Sequence, residues 1–212
     1  MAAQAPIEYR VGLPEALRQQ AALLYDEAFG AKLGLAIPDS AKRVAVLAAC
    51  LQLDYAVGAI QGQTLLGIAG FRTAQGGLTD GGDLSTLRQE LSLAQTARAV
   101  VVLALFERPT TSGQLLMDGL SVSAKARGQG VGTALLATLE DYARAERYTH
   151  IRLDVIDTNT AARRLYERLG FVAQDTADFE VLRGVLGFGA STTMTLALEQ
   201  REVHSLNSSS AS

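Results

Sequence analysis

The 212 residues, 48 % of them hydrophobic, suffice for one substantial core and exclude several large domains. With 19 % charged residues, three lysines and a net charge of -3, the chain has little general attraction for nucleic acid; a small anionic ligand would need a local basic or amide-lined pocket. The single Cys50 excludes an internal disulfide framework, and within VAVLAACLQLDYAV it reads as a buried inert thiol, so a reducing, cytoplasmic setting is expected. MAAQAPIEYR has neither a basic nor a long apolar region, and no run of 18 apolar residues occurs. Neither a signal peptide nor a membrane span or membrane partner is therefore expected. His150 and His204 stand far apart in no ligand spacing, which argues against a histidine metal site.

In chain order, IEYRVG from Ile7 predicts a first strand, and PEALRQQAALLYDEAFGAKLG a helix. Leu17, Ala21, Leu24 and Ala28 fall on one side of that helix, with Pro14 and Gly30 as its punctuation. SAKRVAVLAACLQLD after Pro38 predicts a second short helix. YAVGAIQGQTLLGIAGFRTA predicts two antiparallel strands turning at Gln61-Gly62-Gln63. Gln75 to Gln89 is turn-rich, and LRQELSLAQTARAVVVLALF reads as helix through about Arg98 or beyond.

QLLMDGLSV (Gln114 to Val122) returns to strand character and runs into a glycine-rich stretch. TALLATLEDYARAERY is an amphipathic helix with Leu135, Leu136, Leu139, Tyr142 and Ala143 on one side. HIRLDVID alternates as a strand, TNTAARRLYERLG is a short helix closed by Gly170, and FVAQDTADFEVLRG and STTMTLALEQ are final strands. The small, polar residues from Val203 are expected to form a disordered tail, 203–212, behind a single domain, 1–202. A helix between two strands suggests a βαβ unit, and the flanking hairpins favour an α/β fold with a mixed, mostly antiparallel central sheet flanked by helices.

KARGQGVGTALL asks for bare backbone at the mouth of a helix. Gly128, Gly130 and Gly132 permit left-handed or closely approached backbone, consecutive amides can form a nest, and the helix adds unpaired N–H groups. Its dipole is worth only about 0.3–1 kcal/mol when exposed and ~2 when partly buried, so oriented amides must carry much of the binding. Arg127 and Lys125 add charge at the rim, and a phosphate or pyrophosphate fits best; the alternative is a plain glycine turn capping a helix. GVGTAL lacks the Lys of a Walker A loop, and Thr133 or Leu135 stands where a dinucleotide fingerprint needs its third glycine.

Downstream, Asn159 or Thr158 can cap the next helix, and Ala162, Leu165, Tyr166 and Leu169 share a side. Tyr166 is either a packing residue or, with a phenol pKa of ~10, a proton donor to a leaving thiolate.

Arg127 to Gly132 resembles the R/Q-x-x-G-x-G/A signature of the GCN5-related N-acetyltransferase (GNAT) superfamily. Asn159, Ala162, Leu165, Tyr166, Gly170 and Phe171 resemble that superfamily's N-x-x-A-x-x-L-Y-x-x-x-G-F pattern. The resemblance implies an acetyl-CoA-dependent N-acetyltransferase that passes the acyl group directly to an amine. It would hold the CoA pyrophosphate on amides around Gln129, Gly130, Val131, Gly132 and Thr133, with Arg127 and Gly128 in the same loop. Leu120, Ser121 and Val122 would run beside pantetheine, Asn159 would contact the cofactor arm, and Tyr166 would approach sulfur as general acid. Some relatives carry a glutamate on the strand before the loop; here Asp118 is the candidate base, with substrate orientation or bracing of a turn as its other readings. His150 reads as structural. The acceptor is a small-molecule or peptide amine that the sequence leaves open. The 75–113 segment is expected either to cover the acceptor cleft or to form a subunit interface, as in a homodimer. A non-catalytic acyl-CoA-binding module is the alternative.

Overall fold

The computed structural model describes residues 5–104 and 111–199. After β1 (Ile7–Val11), Pro14 opens a turn of 3-10 helix that leads into α1 (Arg18–Leu33). The buried face of α1 runs through Leu17, Ala21, Leu24 and Tyr25 towards Phe29, while the expected Ala28 is exposed. The i, i+4 stripe from Leu17 drifts around the helix, so Phe29 takes the inward position.

Gly30 does not end this helix. A Cβ there would lie 3.2 Å from Asp26 Oδ1 and 3.3 Å from Arg43 Nη2. The missing side chain makes room for an ion pair between α1 and α2 (Ser40–Cys50), which itself starts on an Asp39 cap. Arg43 donates to Asp26 through Nε at 2.7 Å and Nη2 at 3.1 Å, and its Nη1 reaches the carbonyls of Ile37 and Pro38. Both charges are buried.

β2 (Ala56–Gln61) and β3 (Thr64–Thr73) form the expected hairpin, and the two-residue β4 (Gly76–Gly77) folds back on β3. The following helical run is two helices, α3 (Leu84–Glu90) and α4 (Leu93–Ala104). Leu91 is buried in an extended conformation, and Ser92 with Gln95 builds a reciprocal cap: Gln95 Oε1 accepts from the Ser92 amide at 3.0 Å and Ser92 Oγ from the Gln95 amide at 3.4 Å. That S-x-x-Q signal inside SLAQ marks the new start. Both helices dock on the outer side of α2, where Leu91 and Ala99 meet Ala36, Ile37 and Val46.

β5 (Gln114–Val122), α5 (Val131–Ala145) and β6 (His150–Ile156) make the βαβ unit, followed by α6 (Thr160–Arg168), β7 (Val172–Asp178), the short α7 (Arg183–Leu186) and β8 (Ala190–Ala197). The sheet order is β1-β2-β3-β5-β6-β8-β7, with β4 beside β3. β5 and β6 are its parallel pair and the other pairings are antiparallel, as the sequence pattern required. One core lies between the sheet and α5, where Leu135 and Leu139 meet Phe71, Leu115, Ile151 and Leu153; the other lies between the sheet and α1 with α2. Among the described residues no helix is long and apolar enough to cross a membrane. The domain end at 202 and the 203–212 tail fall outside the described residues.

Removing one partner of the Asp26–Arg43 pair strands the other charge out of water. Asp26→Ala is expected to lose roughly 3–5 kcal/mol of unfolding free energy. Urea denaturation of both proteins checks this, and a loss below about 1 kcal/mol would show that the pair is solvated.

Candidate functional site

Two strands part company in the middle of the sheet. β5 pairs with β6 from Gln114 opposite His150 to Met117 opposite Leu153, and the ladder stops there. On its other side β5 stays paired with β3 to Val122, but Met117 and Gly119 face the consecutive residues Phe71 and Gly70. Asp118 is therefore the extra residue of a β-bulge, which bends the strand and re-aims a side chain. Beyond it, Leu120, Ser121 and Val122 have β3 on one edge and, among the described residues, no strand on the other. Gly119 is pinned against α1: a Cβ there would come within 2.2 Å of Phe29 Cζ. Ser121 fastens the same stretch, donating from its buried hydroxyl to the Leu24 carbonyl at 2.8 Å.

The glycine loop closes over the end of β5. Arg127 Nε donates to the Val122 carbonyl at 3.0 Å, Gln129 Nε2 to the Lys125 carbonyl at 2.8 Å, and Ala126 is buried beneath. The side chains of Arg127 and Gln129 thus brace the loop. Gly128 and Gly130 have φ of 75° and 79°, the left-handed region that glycine occupies without strain. α5 starts at Val131, slightly earlier than the sequence pattern suggested, with Gly130 as its N-cap.

That start has no side-chain cap, whereas α2, α3 and α6 begin with Asp39, Asp83 and Asn159 accepting a first-turn amide. The amides of Val131, Gly132 and Thr133 consequently have no intrahelical acceptor. The space beside Gly130 is open, with no atom within 4 Å of where a Cβ would stand. Donors, dipole and room are what an anion site requires. A carrier's diphosphate fits these residues on that observation.

α6 completes the cleft. A Cβ on Gly132 would lie 3.6 Å from Leu165 Cδ2, 3.7 Å from Leu120 Cδ2 and 3.8 Å from Val122 Cγ2, so the loop, the free end of β5 and α6 converge. Asn159 caps α6 through Oδ1, which accepts the Ala162 amide at 3.2 Å. Tyr166 packs its ring 5.8 Å from that of Phe171, and its hydroxyl has no hydrogen-bond partner among the described residues. Burial pushes its pKa to about 12. The phenol therefore holds its proton at neutral pH.

Asp118 faces the α1 side with groups that sequence reasoning passed over. Its Oδ1 lies 3.9 Å from Arg72 Nε, and its Oδ2 is buried with no hydrogen-bond partner. Arg72 pairs more closely with Asp80, at 2.7 Å. Burial raises the Asp118 carboxyl to about 6, opposed by Arg72 and aided by Asp80. Tyr25 contributes a buried phenol whose pKa is raised by desolvation and by the Asp118 charge. A charged residue near the end of the mostly apolar β3 was the available signal for Arg72; nothing local marked Asp80.

His150 bonds with Thr149 Oγ1 at 2.8 Å and Gln114 Nε2 at 3.0 Å, at the far end of the β5–β6 ladder from the bulge, in keeping with a structural role. Cys50 is half-buried, its thiol pKa raised by desolvation, with its sulfur against Gly82. Among the described residues no group of three or more His, Cys, Asp or Glu could hold a metal ion.

A mixed sheet opened beside an uncapped, glycine-led helix defines a class, and the acetyltransferase (GNAT) family matches residues 38–171. The chain belongs to that family. Over 77 residues it is 35 % identical to N-acetyltransferase 8F1 of Rattus norvegicus, a stretch that makes up 36 % of this chain and 35 % of the relative. The chain thus spans about a third of the length of this curated relative. Among solved structures, a GCN5-related N-acetyltransferase from Kribbella flavida superposes with a TM-score of 0.59 at 18 % identity, over 91 % of this chain and 98 % of that one. YncA of Salmonella typhimurium, solved with its cofactor acetyl-CoA, superposes with a TM-score of 0.57 at 20 % identity, over 92 % and 96 %. At such identities the likeness establishes the fold.

The raised Asp118 pKa has a stability consequence. The folded chain binds this proton up to about pH 6, whereas the unfolded chain releases it near 3.8. Its contribution is thus fully present below pH ~4 and is lost as pH rises through about 6. Asp118→Asn, which stays neutral, is expected to gain stability relative to the parent across that window, by on the order of 3 kcal/mol. Denaturation midpoints from pH 4 to 7 test this, and a constant difference would contradict it.

Proposed function

We propose that the protein transfers an acetyl group from acetyl-CoA to a primary amine by direct attack on the thioester. The observation that carries this reading is the uncapped α5 start beside the opened β5–β6 seam. Acetyl-CoA supplies an activated acyl group on a thiol leaving group.

The amides of Val131, Gly132 and Thr133, with those around Gln129 and Gly130, hold the diphosphate, and Arg127 keeps the loop on β5. The unpaired edge of Leu120 to Val122 offers main-chain partners to the pantetheine arm and aims the thioester into the seam. Asn159 uses Oδ1 for its cap, leaving its Nδ2 group for the same arm. Orientation of this kind accounts for a large part of a barrier, about 7–11 kcal/mol when the reactants are well aligned.

The proton movements remain. An acceptor ammonium of pKa ~10.4 keeps its proton at neutral pH, and freeing it costs on the order of 4–5 kcal/mol. Asp118, a carboxylate above pH 6 with an unpartnered buried oxygen, takes that proton, directly or through water. Tyr166, which burial keeps protonated, gives its proton to the sulfur as the C–S bond breaks, and the second proton shed by the attacking nitrogen returns to the phenolate through solvent. Both assignments require only groups already in the needed protonation state at neutral pH.

Tyr166→Phe is expected to lower kcat by about 10²-fold with CoA affinity nearly unchanged, the usual size of a general acid's contribution. Thiol release across a panel of amines, alongside calorimetric titration with CoA, measures both. Unchanged kcat would remove Tyr166 from the reaction, and tight CoA binding without turnover on any amine would favour a non-catalytic acyl-CoA-binding module. At the loop, Gly130→Val forces a β-branched residue into the left-handed region and fills the open space, so CoA affinity is expected to fall at least about tenfold. Retained affinity in that titration would place the diphosphate elsewhere.

A further inference from the structure

The Asp118 carboxylate sits near a guanidinium that should neutralise it. An arginine beside an aspartate ordinarily lowers the carboxyl pKa by about 1–3 units, which would weaken it as a base. Here the closest approach is 3.9 Å, and one carboxylate oxygen is buried without a partner. The guanidinium is engaged elsewhere, with Asp80 at 2.7 Å.

Asp80 is brought to Arg72 by a fixed piece of chain. Leu78 is fully buried, donates its amide to the Phe71 carbonyl at 3.1 Å, and occupies the space over Gly70, where a Cβ would lie 2.5 Å from Leu78 Cδ2. Gly77 lies directly on the Arg72 side chain: a Cβ there would come within 3.0 Å of both Cβ and Cγ and 3.2 Å of Nε. The arginine stem is held beneath β4, and the Asp80 amide donates to the Gly77 carbonyl at 3.2 Å. The three charged side chains are between 16 % and 30 % exposed, well short of a freely solvated surface pair.

We propose that Asp80 is a positioning residue that holds the Arg72 guanidinium away from Asp118 and so sets the protonation of that carboxylate. Its catalytic meaning rests on the acetyl-transfer reading above; the clamp itself does not. The titratable and charged groups facing Asp118 are Arg72 from β3, Asp80 from the segment after β4, and Tyr25 from α1. Tyr25 is neutral throughout the relevant range, since its pKa is raised, so the balance is struck between one guanidinium and two carboxylates. Without Asp80, the guanidinium turns to the one carboxylate left in reach.

The test is a carbon-13 carboxyl titration of the full chain, with the Asp118 resonance assigned by its loss in Asp118→Asn. Asp80→Asn is expected to lower the Asp118 midpoint by about one pH unit or more, and Asp80→Glu to return it towards the parent value. Because Asp80 also acts through its own charge, the deciding measurement is the same substitution in an Arg72→Gln background. There the downward shift is expected to shrink to less than about half. An equal shift in both backgrounds, or none in the first, overturns the clamp. The acid limb of kcat/KM for amine acetylation separates the two readings: it should follow the carboxyl midpoint in Asp80→Asn. A limb that stays while the carboxyl moves overturns Asp118 as the base and leaves the clamp standing.

Discussion

The cleft depends on one irregularity, the extra residue in β5. In a regular parallel pair every backbone group of β5 would be taken up by β3 and β6, and the sheet would have no opening. The bulge at Asp118 coincides with the end of the β5–β6 ladder at Met117 opposite Leu153. One inserted residue thereby ends the parallel pairing, frees the Leu120–Val122 edge and turns a carboxylate out of the strand's alternation. The surrounding packing holds this distortion in place. Phe29 presses on Gly119, Ser121 is tied to the Leu24 carbonyl, and Arg127 fastens the glycine loop to the Val122 carbonyl. α1 and the loop grip the parted strand from either end.

The helix starts carry the same logic. α2, α3 and α6 each satisfy a first-turn amide with a side chain, through Asp39, Asp83 and Asn159. α5, the longest helix of the βαβ unit, begins on Gly130 without such a cap. An open set of donors there costs stability that a capped helix would retain, about 0.5–2 kcal/mol. The amphipathic stripe of Leu135, Leu136, Leu139 and Ala143, buried against the sheet, offsets that cost and keeps the helix formed.

On the α1 face, the electrostatics turn on competition. Arg72 has two carboxylates in reach and a stem held under Gly77, so its choice of partner is made by the backbone that carries Asp80. Burial then acts on the carboxylate that is left, which is why desolvation outweighs the nearby positive charge at Asp118.

Much of this was legible in the residues. The period-2 alternation of Ile151, Leu153 and Val155, the stripe on α5 and the glycines at 128 and 130 each record a local requirement: which face is buried, or where φ must be positive. Local requirements survive in a sequence because one residue and its near neighbours meet them. Gly30 was misleading because its reason is distant, an ion pair between two helices, and Ala28 because only packing shows which way the stripe drifts. The split between α3 and α4 lay in a cap signal, S-x-x-Q, hidden inside a run of good helix formers. The sequence by itself determined the strands and helices apart from β4, α7 and the α3–α4 break, together with the glycine-led helix start and the family pattern. The bulge, the parted strands and the meeting of Arg72 with Asp80 and Asp118 were decided by the tertiary structure alone. Pairing register and charge contacts join segments far apart in the chain, and no short-range pattern encodes which of them will meet.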